Sequence, residues 1–161
     1  MKALVALTLL LSSWLVFGTQ GQAPDSKREL TNAEQDEIRE AVFRYQFEHN
    51  ASGQQQTAKV YFLSFGKDQE PSDEFIARFK DHKPPVKKRS QSKGQFEVID
   101  KETGERGLIF SAVSIQVIDT NTVEVDGGYY EAGLSASGNV YTVKRNHGKW
   151  IVTKDQMLWI S

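Results

Sequence analysis

The stretch 140-VYTVKRNHGKWIV-152 has the pattern of a β-hairpin. Apolar and polar residues alternate on both sides of Asn146-His147-Gly148. Asparagine and glycine are common in tight turns because they tolerate the backbone geometry that such turns need. A strand over residues 140–145 is therefore predicted to turn back into a second strand over residues 149–160.

The period of two extends upstream from this hairpin to residue 86. It predicts a polar edge strand over residues 86–92, a short strand over 96–99 and a long strand over 108–118. The long strand is predicted to place Ile109, Val113, Ile115 and Val117 on one face, and Leu108, Phe110, Ala112 and Ile118 on the other. A return strand over residues 123–126 meets Gly127-Gly128, which predicts a bulge or a bend.

A long helix is predicted before these strands. Thr31 and Glu34 fit a capping box, in which each residue's side chain bonds the other's backbone amide. The apolar spacing that follows predicts a first helix over residues 32–49 with an unusually aromatic face. Residues 58–65 are mostly apolar and aromatic, which is typical of a central strand buried on both faces.

A short second helix is predicted to begin after Ser72, whose hydroxyl can cap it. Pro84-Pro85 is predicted to end this helix, because the residue before a proline disfavours the helical backbone.

The order of these elements predicts an α+β fold over residues 31–161, with the first helix packed on a curved antiparallel sheet and one short second helix. A long N-terminal helix followed by a meander, closed by a hairpin whose second strand begins Gly148-Lys149-Trp150-Ile151-Val152, resembles the cystatin-like, or nuclear transport factor 2-like (SnoaL-like), superfamily. The resemblance implies a cone-like fold with a pocket between the first helix and the concave face of the sheet. Members use that surface for small-molecule enzymology, for binding or for dimerisation.

The first residues have the layout of a secretory signal peptide. A positive start is followed by an apolar run over residues 3–17, which is shorter than the roughly 20 residues of a membrane-spanning helix. We expect a signal peptide over residues 1–21, a disordered lead-in over 22–30, and cleavage after Gly18, Gly21 or Ala23. The protein is therefore expected to be exported to a periplasmic or extracellular space, with no membrane attachment after cleavage.

The composition excludes several classes of function. The chain has no cysteine, which excludes disulfides, thiolate metal sites, cysteine nucleophiles and lipid attachment through cysteine. With 20 Lys and Arg against 21 Asp and Glu, the chain has almost no net charge, so its overall electrostatics do not predict binding to nucleic acid.

No motif in the sequence predicts a metal, a cofactor or a catalytic residue. His49, His82 and His147 lie apart at predicted helix ends and turns, and no His-Glu-x-x-His is present. An EF-hand loop from Asp119 fails, because Val123 would stand at a ligand position and Tyr130 at the closing glutamate. No glycine-rich phosphate loop or Gly-x-Ser-x-Gly elbow occurs.

Four acids are the only charged residues between Gly107 and Val143: Asp119, Glu124, Asp126 and Glu131. Glu124 and Asp126 are predicted to share a solvated outer face. The alternative is that Asp126 or Glu131, beside the tyrosines at 129 and 130, points into the pocket and handles a proton. The candidate pocket residues are Tyr45, Asp126, Tyr129, Glu131 and Trp150.

Five basic residues lie close together in the sequence and form a predicted basic patch: Lys83, Lys87, Lys88, Arg89 and Lys93. Such a run is typical of a charged edge strand that guards against aggregation. Pairing with the acidic strands, within one molecule or between copies, and binding of an anionic partner are the alternatives.

These observations favour a non-catalytic module that binds a small apolar molecule or a protein. The alternatives are a cyclase- or isomerase-like enzyme that uses a pocket carboxylate and tyrosine, and a secreted inhibitory or structural protein that acts through the sheet edge. The apolar residues 157–160 are expected either to close the sheet edge or to join a second copy in a homodimer. Asn50-Ala51-Ser52 is a glycosylation sequon.

Overall fold

The computed structural model describes residues 28–53, 57–67, 69–94 and 96–161. The predicted signal peptide and residues 22–27 of the predicted lead-in lie outside these ranges, whereas Leu30 packs against the core. In chain order the elements are α1 (Asn32–His49), β1 (Val60–Ser64), α2 (Asp73–Ala77), β2 (Val86–Lys88), a 3₁₀ helix (Arg89–Gln91), β3 (Ser92–Lys93), β4 (Ile99–Asp100), β5 (Gly107–Asp119), β6 (Thr122–Ala132), β7 (Ser135–Asn146) and β8 (Lys149–Ile160).

The first helix has the predicted bounds and the predicted cap. The Thr31 hydroxyl accepts a hydrogen bond from the Glu34 amide at 3.2 Å, and the Glu34 carboxylate accepts one from the Thr31 amide at 3.2 Å. One face of α1 is buried against the sheet through Ile38, Val42, Phe43 and Phe47. The aromatic character of this face is also as predicted, since Phe43 packs edge-on against Phe75 and Phe79.

Six strands form one curved, mixed sheet in the order β2-β1-β5-β6-β7-β8. Strands β5 to β8 are antiparallel neighbours, as predicted. The prediction of an antiparallel sheet is wrong for the other half, because β1 pairs in parallel with both β2 and β5. The physical reason is that β1 is separated by α2 from β2, and by the longer stretch from α2 to β4 from β5, and connections of this length can return the chain in the same direction.

A bulge in β5 changes which side chains face α1. Leu108, Phe110 and Ala112 are buried beside the helix, and a register shift follows before Ile115. Beyond the shift, Ile115 and Val117 pack against the same cluster, so the predicted grouping of faces along this strand is wrong.

A bulge or a bend is predicted at Gly127-Gly128, and a bulge does occur beside it, but on the facing strand: both glycines pair with β5, and the extra residue lies in β5 between Ala112 and Ile115. Gly127 instead allows the strands and α1 to approach closely. A Cβ atom there would lie 2.2 Å from the Ser111 carbonyl oxygen and 3.1 Å from Nε2 of Gln46.

The region between β1 and β5 is less regular than predicted. Ser72 caps α2 by accepting from the Phe75 amide at 3.1 Å, but α2 ends at Ala77, well before Pro84-Pro85. The predicted helix end is therefore wrong, since turns rather than helix fill the interval. Strand β2 does form an edge of the sheet, and the 3₁₀ helix interrupts the predicted strand after Lys88.

The hairpin of β7 and β8 forms as predicted. His147 and Gly148 adopt φ angles of 47° and 79°, which are the left-handed values that a two-residue hairpin turn needs. The tail of β8 pairs with β7 through Trp159 and Ile160, and β8 is the other edge of the sheet. The apolar side chains of residues 157–160 stay about half exposed there.

Candidate functional site

A cavity of about 110 Å³ lies where the C-terminal turn of α1 meets strands β6, β7 and β8. Its lining is mostly polar: Gln46, His49, Asn50, Ala51, Gly128, Tyr129, Ser137, Asn139, Tyr141, Asp155 and Met157. This volume is below the roughly 300–1,000 Å³ of pockets for drug-sized ligands, so it suits the end of a molecule rather than a whole one.

Gln46 is the central side chain of this cavity and is 1% exposed. Its Nε2 atom donates to the Ser111 carbonyl at 2.9 Å, and lies 3.4 Å from the Gly128 carbonyl oxygen and 3.2 Å from the Tyr141 hydroxyl. Its Oε1 atom is buried without a hydrogen-bond partner among the described residues. A buried amide oxygen without a partner has lost its hydration without compensation, so it favours a donor in the cavity.

Tyr141 forms a wall of the cavity and is 3% exposed. Burial raises the pKa of the Tyr141 hydroxyl far above its usual range, and the charge of Asp155 adds to this effect. The hydroxyl is therefore neutral at physiological pH, and its proton can be donated in a hydrogen bond to a bound molecule.

A short chain of hydrogen bonds completes the cavity on the strand side. The Ser137 hydroxyl donates to Oδ1 of Asn139 at 2.8 Å, and Nδ2 of Asn139 donates to Oδ1 of Asp155 at 2.6 Å. Asp155 is half-buried and forms no ion pair with any described residue. The charged group of the cavity is thus a carboxylate that is held in position and has no paired cation in the described part of the chain.

One of the predicted pocket residues lines this cavity, and a second lies beside it. Tyr129 is 5% exposed and contributes to its lining. Tyr45 stands beside it, with its ring edge-on to Tyr141 at 5.9 Å and stacked on His49 at 4.4 Å.

The other three predicted pocket residues lie elsewhere. Asp126 is exposed on the face of β6 opposite α1, where it accepts a hydrogen bond from Ser114. Glu131 lies on the helix side of the strand and accepts from the hydroxyls of Ser52 at 2.5 Å and Ser135 at 2.9 Å. Trp150 lines a different groove between α1 and the β7–β8 turn, under the guanidinium of Arg145.

The sequon residue Asn50 also belongs to this cavity. Its Nδ2 atom donates to the Gln46 carbonyl at 2.7 Å, and its Oδ1 accepts from the Ser52 amide at 2.9 Å. In the folded chain the amide nitrogen that a glycan would occupy is therefore engaged in closing the end of α1.

The predicted basic patch is divided by the fold. Lys87 pairs with Asp100 at 2.8 Å and Glu102 at 2.7 Å, and Lys88 pairs with Asp73 at 2.7 Å. The Arg89 guanidinium donates to the Ser92 hydroxyl at 2.6 Å, while Lys83 and Lys93 are exposed. Pairing within one molecule therefore accounts for two of the five cations, although the partners lie outside the acidic strand β6.

Of the eleven lining residues, only Tyr129 was predicted as a pocket residue from the sequence. The residues that were not predicted include the four polar ones that define the site: Gln46, Asn139, Tyr141 and Asp155. A signal for Gln46 was present, because it follows Ile38 and Val42 at four-residue spacing and so places an amide in an apolar row. No such signal marks Asp155.

Within the described ranges, no helix has the length and apolar character to cross a membrane. The same residues contain no cluster of three or more histidine and acidic side chains that could hold a metal ion. No protein-family model matches the chain, and neither a curated protein nor a solved structure matches it significantly.

Proposed function

We propose that this protein is a binding module, and that its cavity at the end of α1 takes the ammonium group of a small amine. The observation that carries the proposal is that two side chains with unsatisfied acceptors, Gln46 and Asp155, line the same small cavity. Among the described residues, the buried Oε1 of Gln46 lacks a hydrogen-bond partner and the Asp155 carboxylate lacks a paired cation. An ammonium group supplies three donors and a positive charge, and so satisfies both.

The remaining walls suit such a ligand. The carbon chain attached to the ammonium would contact Met157, Ala51 and the ring of Tyr129. The expected apolar ligand is thus refined to a molecule with an apolar stem and a charged end. His49 completes the mouth of the cavity, next to Tyr45.

The test is binding of n-propylamine, with 1-propanol as the neutral comparison of similar size. Amide chemical shifts in two-dimensional NMR spectra report the position and strength of binding. We expect Asp155→Asn to weaken propylamine binding about tenfold, because a charge-assisted hydrogen bond is replaced by a neutral one. Asp126→Asn, on the opposite face of the sheet, is the matched control and should bind as the unmodified protein does.

Equal binding of propylamine by the Asp155→Asn variant would overturn the proposal, as would equal binding of 1-propanol. Shifts confined to the sheet face opposite α1 would overturn it as well.

An enzyme that uses the same cavity is the second candidate, and the tyrosine and carboxylate that meet there favour it. Tyr141 and Asp155 would be the reacting groups in place of the predicted Asp126, Glu131 and Tyr129. Burial raises the pKa of Tyr141, which suits it to donate a hydrogen bond to a carbonyl but not to act as a base.

A third role, as a secreted inhibitory or structural protein, would use the edge at β2, where Lys83 is exposed near the strand.

Two broader proposals rest on the sequence. The cone-like fold of the cystatin-like and nuclear transport factor 2-like superfamily is supported by the long helix on one face of the curved sheet and by the hairpin at its end. Export to the periplasm or the cell exterior rests on the pattern of residues 1–21, and N-terminal sequencing of the secreted protein would test it.

A further inference from the structure

A second cavity, of about 370 Å³, lies at the other end of α1. It is formed by the first turns of the helix, by Phe65 after β1 and by the segment that leads into α2. Its lining is Asn32, Gln35, Asp36, Arg39, Phe65, Gln69, Glu70 and Ser72. The lining shares no residue with the cavity around Gln46.

Arg39 is the buried charge of this second cavity. It is 9% exposed, and its guanidinium carbon lies 4.3 Å from the centre of the Phe65 ring. It forms no ion pair with any described residue, and its Nε is buried without a hydrogen-bond partner among them. Within the described ranges, its one polar contact is between Nη1 and Oε1 of Gln35, at 3.5 Å, which is long for a hydrogen bond.

A buried charge without a counter-ion is costly, and arginine cannot avoid the cost by losing its proton. The position of the guanidinium over the Phe65 ring compensates in part, since a cation–π contact is stronger when it is desolvated. Burial lowers the pKa of Arg39, and the nearby charge of Asp36 opposes this effect. Apart from the long contact between Nη1 and Gln35, the guanidinium has no acceptor among the described residues.

The two acids that line the cavity are engaged on other sides. Asp36 lies 3.8 Å from the guanidinium of Arg78, and both carboxylate oxygens of Glu70 accept from Ser90. Their charges disfavour a dianion in the cavity, but neither forms a bond with Arg39. A single negative charge opposite Arg39 is thus the best electrostatic match.

We propose that the cavity at Arg39 binds a small monocarboxylate. A carboxylate is planar and accepts two parallel hydrogen bonds from a guanidinium fork, and the contact with the Phe65 ring limits the freedom of the Arg39 guanidinium. Ser72 also lines the cavity, but its hydroxyl accepts from the Phe75 amide and bonds the Glu74 side chain, so the donors for a bound carboxylate come from Arg39. The cavity has room for the carboxylate and a stem of several carbon atoms.

The test uses propionate as the probe and inorganic phosphate as the comparison. Binding is followed by the NMR signal of the Arg39 Nε–H group and by the amide signals around it. We expect propionate to shift these signals in a saturable way, and we expect phosphate to bind at least tenfold more weakly. Arg39→Met should weaken propionate binding at least tenfold, and Arg39→Lys should also weaken it, because lysine lacks the fork.

Arg44→Met is the matched control. Arg44 is on α1, as Arg39 is, and its guanidinium also lies over a phenylalanine of the core, Phe79. Unlike Arg39, Arg44 is exposed and pairs with Glu40. Its replacement removes the same charge and should leave propionate binding unchanged.

A purely structural role for Arg39 makes a different prediction. In that case Arg39→Met would lower the urea midpoint of unfolding, and propionate would not bind the unmodified protein. Under the proposal the midpoint of Arg39→Met stays the same or rises, since methionine keeps the contact with Phe65 and removes the unpaired charge. Absence of saturable propionate shifts, or equal binding by Arg39→Met, would overturn the proposal.

Discussion

The amide nitrogen of Gln46 lies 2.9 Å from the carbonyl oxygen of Ser111, so a helix side chain binds the backbone of a strand 65 residues away. Ser111 is in β5 next to the bulge, and Gly128 pairs with it from β6. Gln46 therefore joins α1 to the middle of the sheet and also contributes to the lining of the cavity. One side chain thus links the stability of the fold to the proposed ligand site.

Replacement of Gln46 by leucine should be strongly destabilising. Gln46→Leu keeps the volume but leaves the Ser111 carbonyl without the donor that it has from α1. We expect a loss of about 2 kcal/mol in the free energy of unfolding, measured by urea denaturation. Gln156→Leu, at an exposed position of β8, should change it by less than about 0.5 kcal/mol. Equal stability of the two variants would contradict a structural role for the Gln46 amide.

Gly127 should not tolerate even alanine. The added Cβ would lie 2.2 Å from a backbone oxygen, which can move only if β5 and β6 separate. We expect Gly127→Ala to lower the free energy of unfolding by about 3 kcal/mol, as other overpacked sites do. Gly53→Ala is the control, because a Cβ added at Gly53 would have no described atom within 4 Å. A thermal melting temperature for Gly127→Ala close to that of the control would show that the strands are not so closely packed.

Local signals in the sequence were sufficient for much of the fold. The Thr31 cap, the Ser72 cap and the turn at His147-Gly148 each depend on a few adjacent residues, and all three form as predicted. The parallel pairing of β1 with β5 was not predictable in this way, because it depends on where a crossover returns the chain.

The residues that β8 contributes to the cavity were likewise not predictable from local signals. Trp150 and Val152 pack on the α1 side of β8, and strict alternation would place residue 154 there next. A register shift between Val152 and Lys154 instead brings Asp155 and Met157 to the cavity. A bulge changes the face of every later residue without changing the pattern of residue types, so Asp155 could not be assigned from sequence.

The edge at β8 predicts self-association. Met157, Leu158, Trp159 and Ile160 are 46%, 57%, 53% and 55% exposed on a strand that is the edge of the sheet. Exposed apolar edge strands pair with other copies through their free backbone groups. We expect the unmodified protein to form a dimer in sedimentation experiments and Leu158→Lys to shift it towards the monomer, while Thr153→Lys has a smaller effect. A monomer at every concentration would contradict the predicted homodimer.

Tyr141 should make stability decline at high pH. Burial raises its pKa in the folded state, so the neutral form contributes stability that is complete below the unfolded value of about 10 and is lost as the pH rises above it. Above pH 10, the free energy of unfolding should therefore fall less steeply with pH in Tyr141→Phe than in the unmodified protein, by about 1.4 kcal/mol per pH unit. An unchanged slope in Tyr141→Phe would show that this hydroxyl is not buried from solvent.

Within the predicted basic patch, Lys87 should contribute to the stability of the fold, whereas Lys88 should contribute little. The Asp100 side chain is 2% exposed and pairs with Lys87, whereas Lys88 pairs with an aspartate that is 90% exposed. Burial alone would raise the pKa of Asp100, but hydrogen bonds from Lys87, Thr103 and the Glu102 amide outweigh it and hold the pKa below its usual value.

Lys87→Met should therefore cost about 1–3 kcal/mol at pH 7, because it leaves Asp100 buried without its cation. Lys88→Met should cost less than about 0.5 kcal/mol, as exposed pairs do. The contribution of Asp100 is present above its unfolded pKa of about 3.9 and is lost as the pH falls through its lower folded value. The difference between the two variants in urea unfolding should thus be large at pH 7 and small near pH 2. A difference that stays constant with pH would mean that Lys87 acts through packing of its stem and not through its charge.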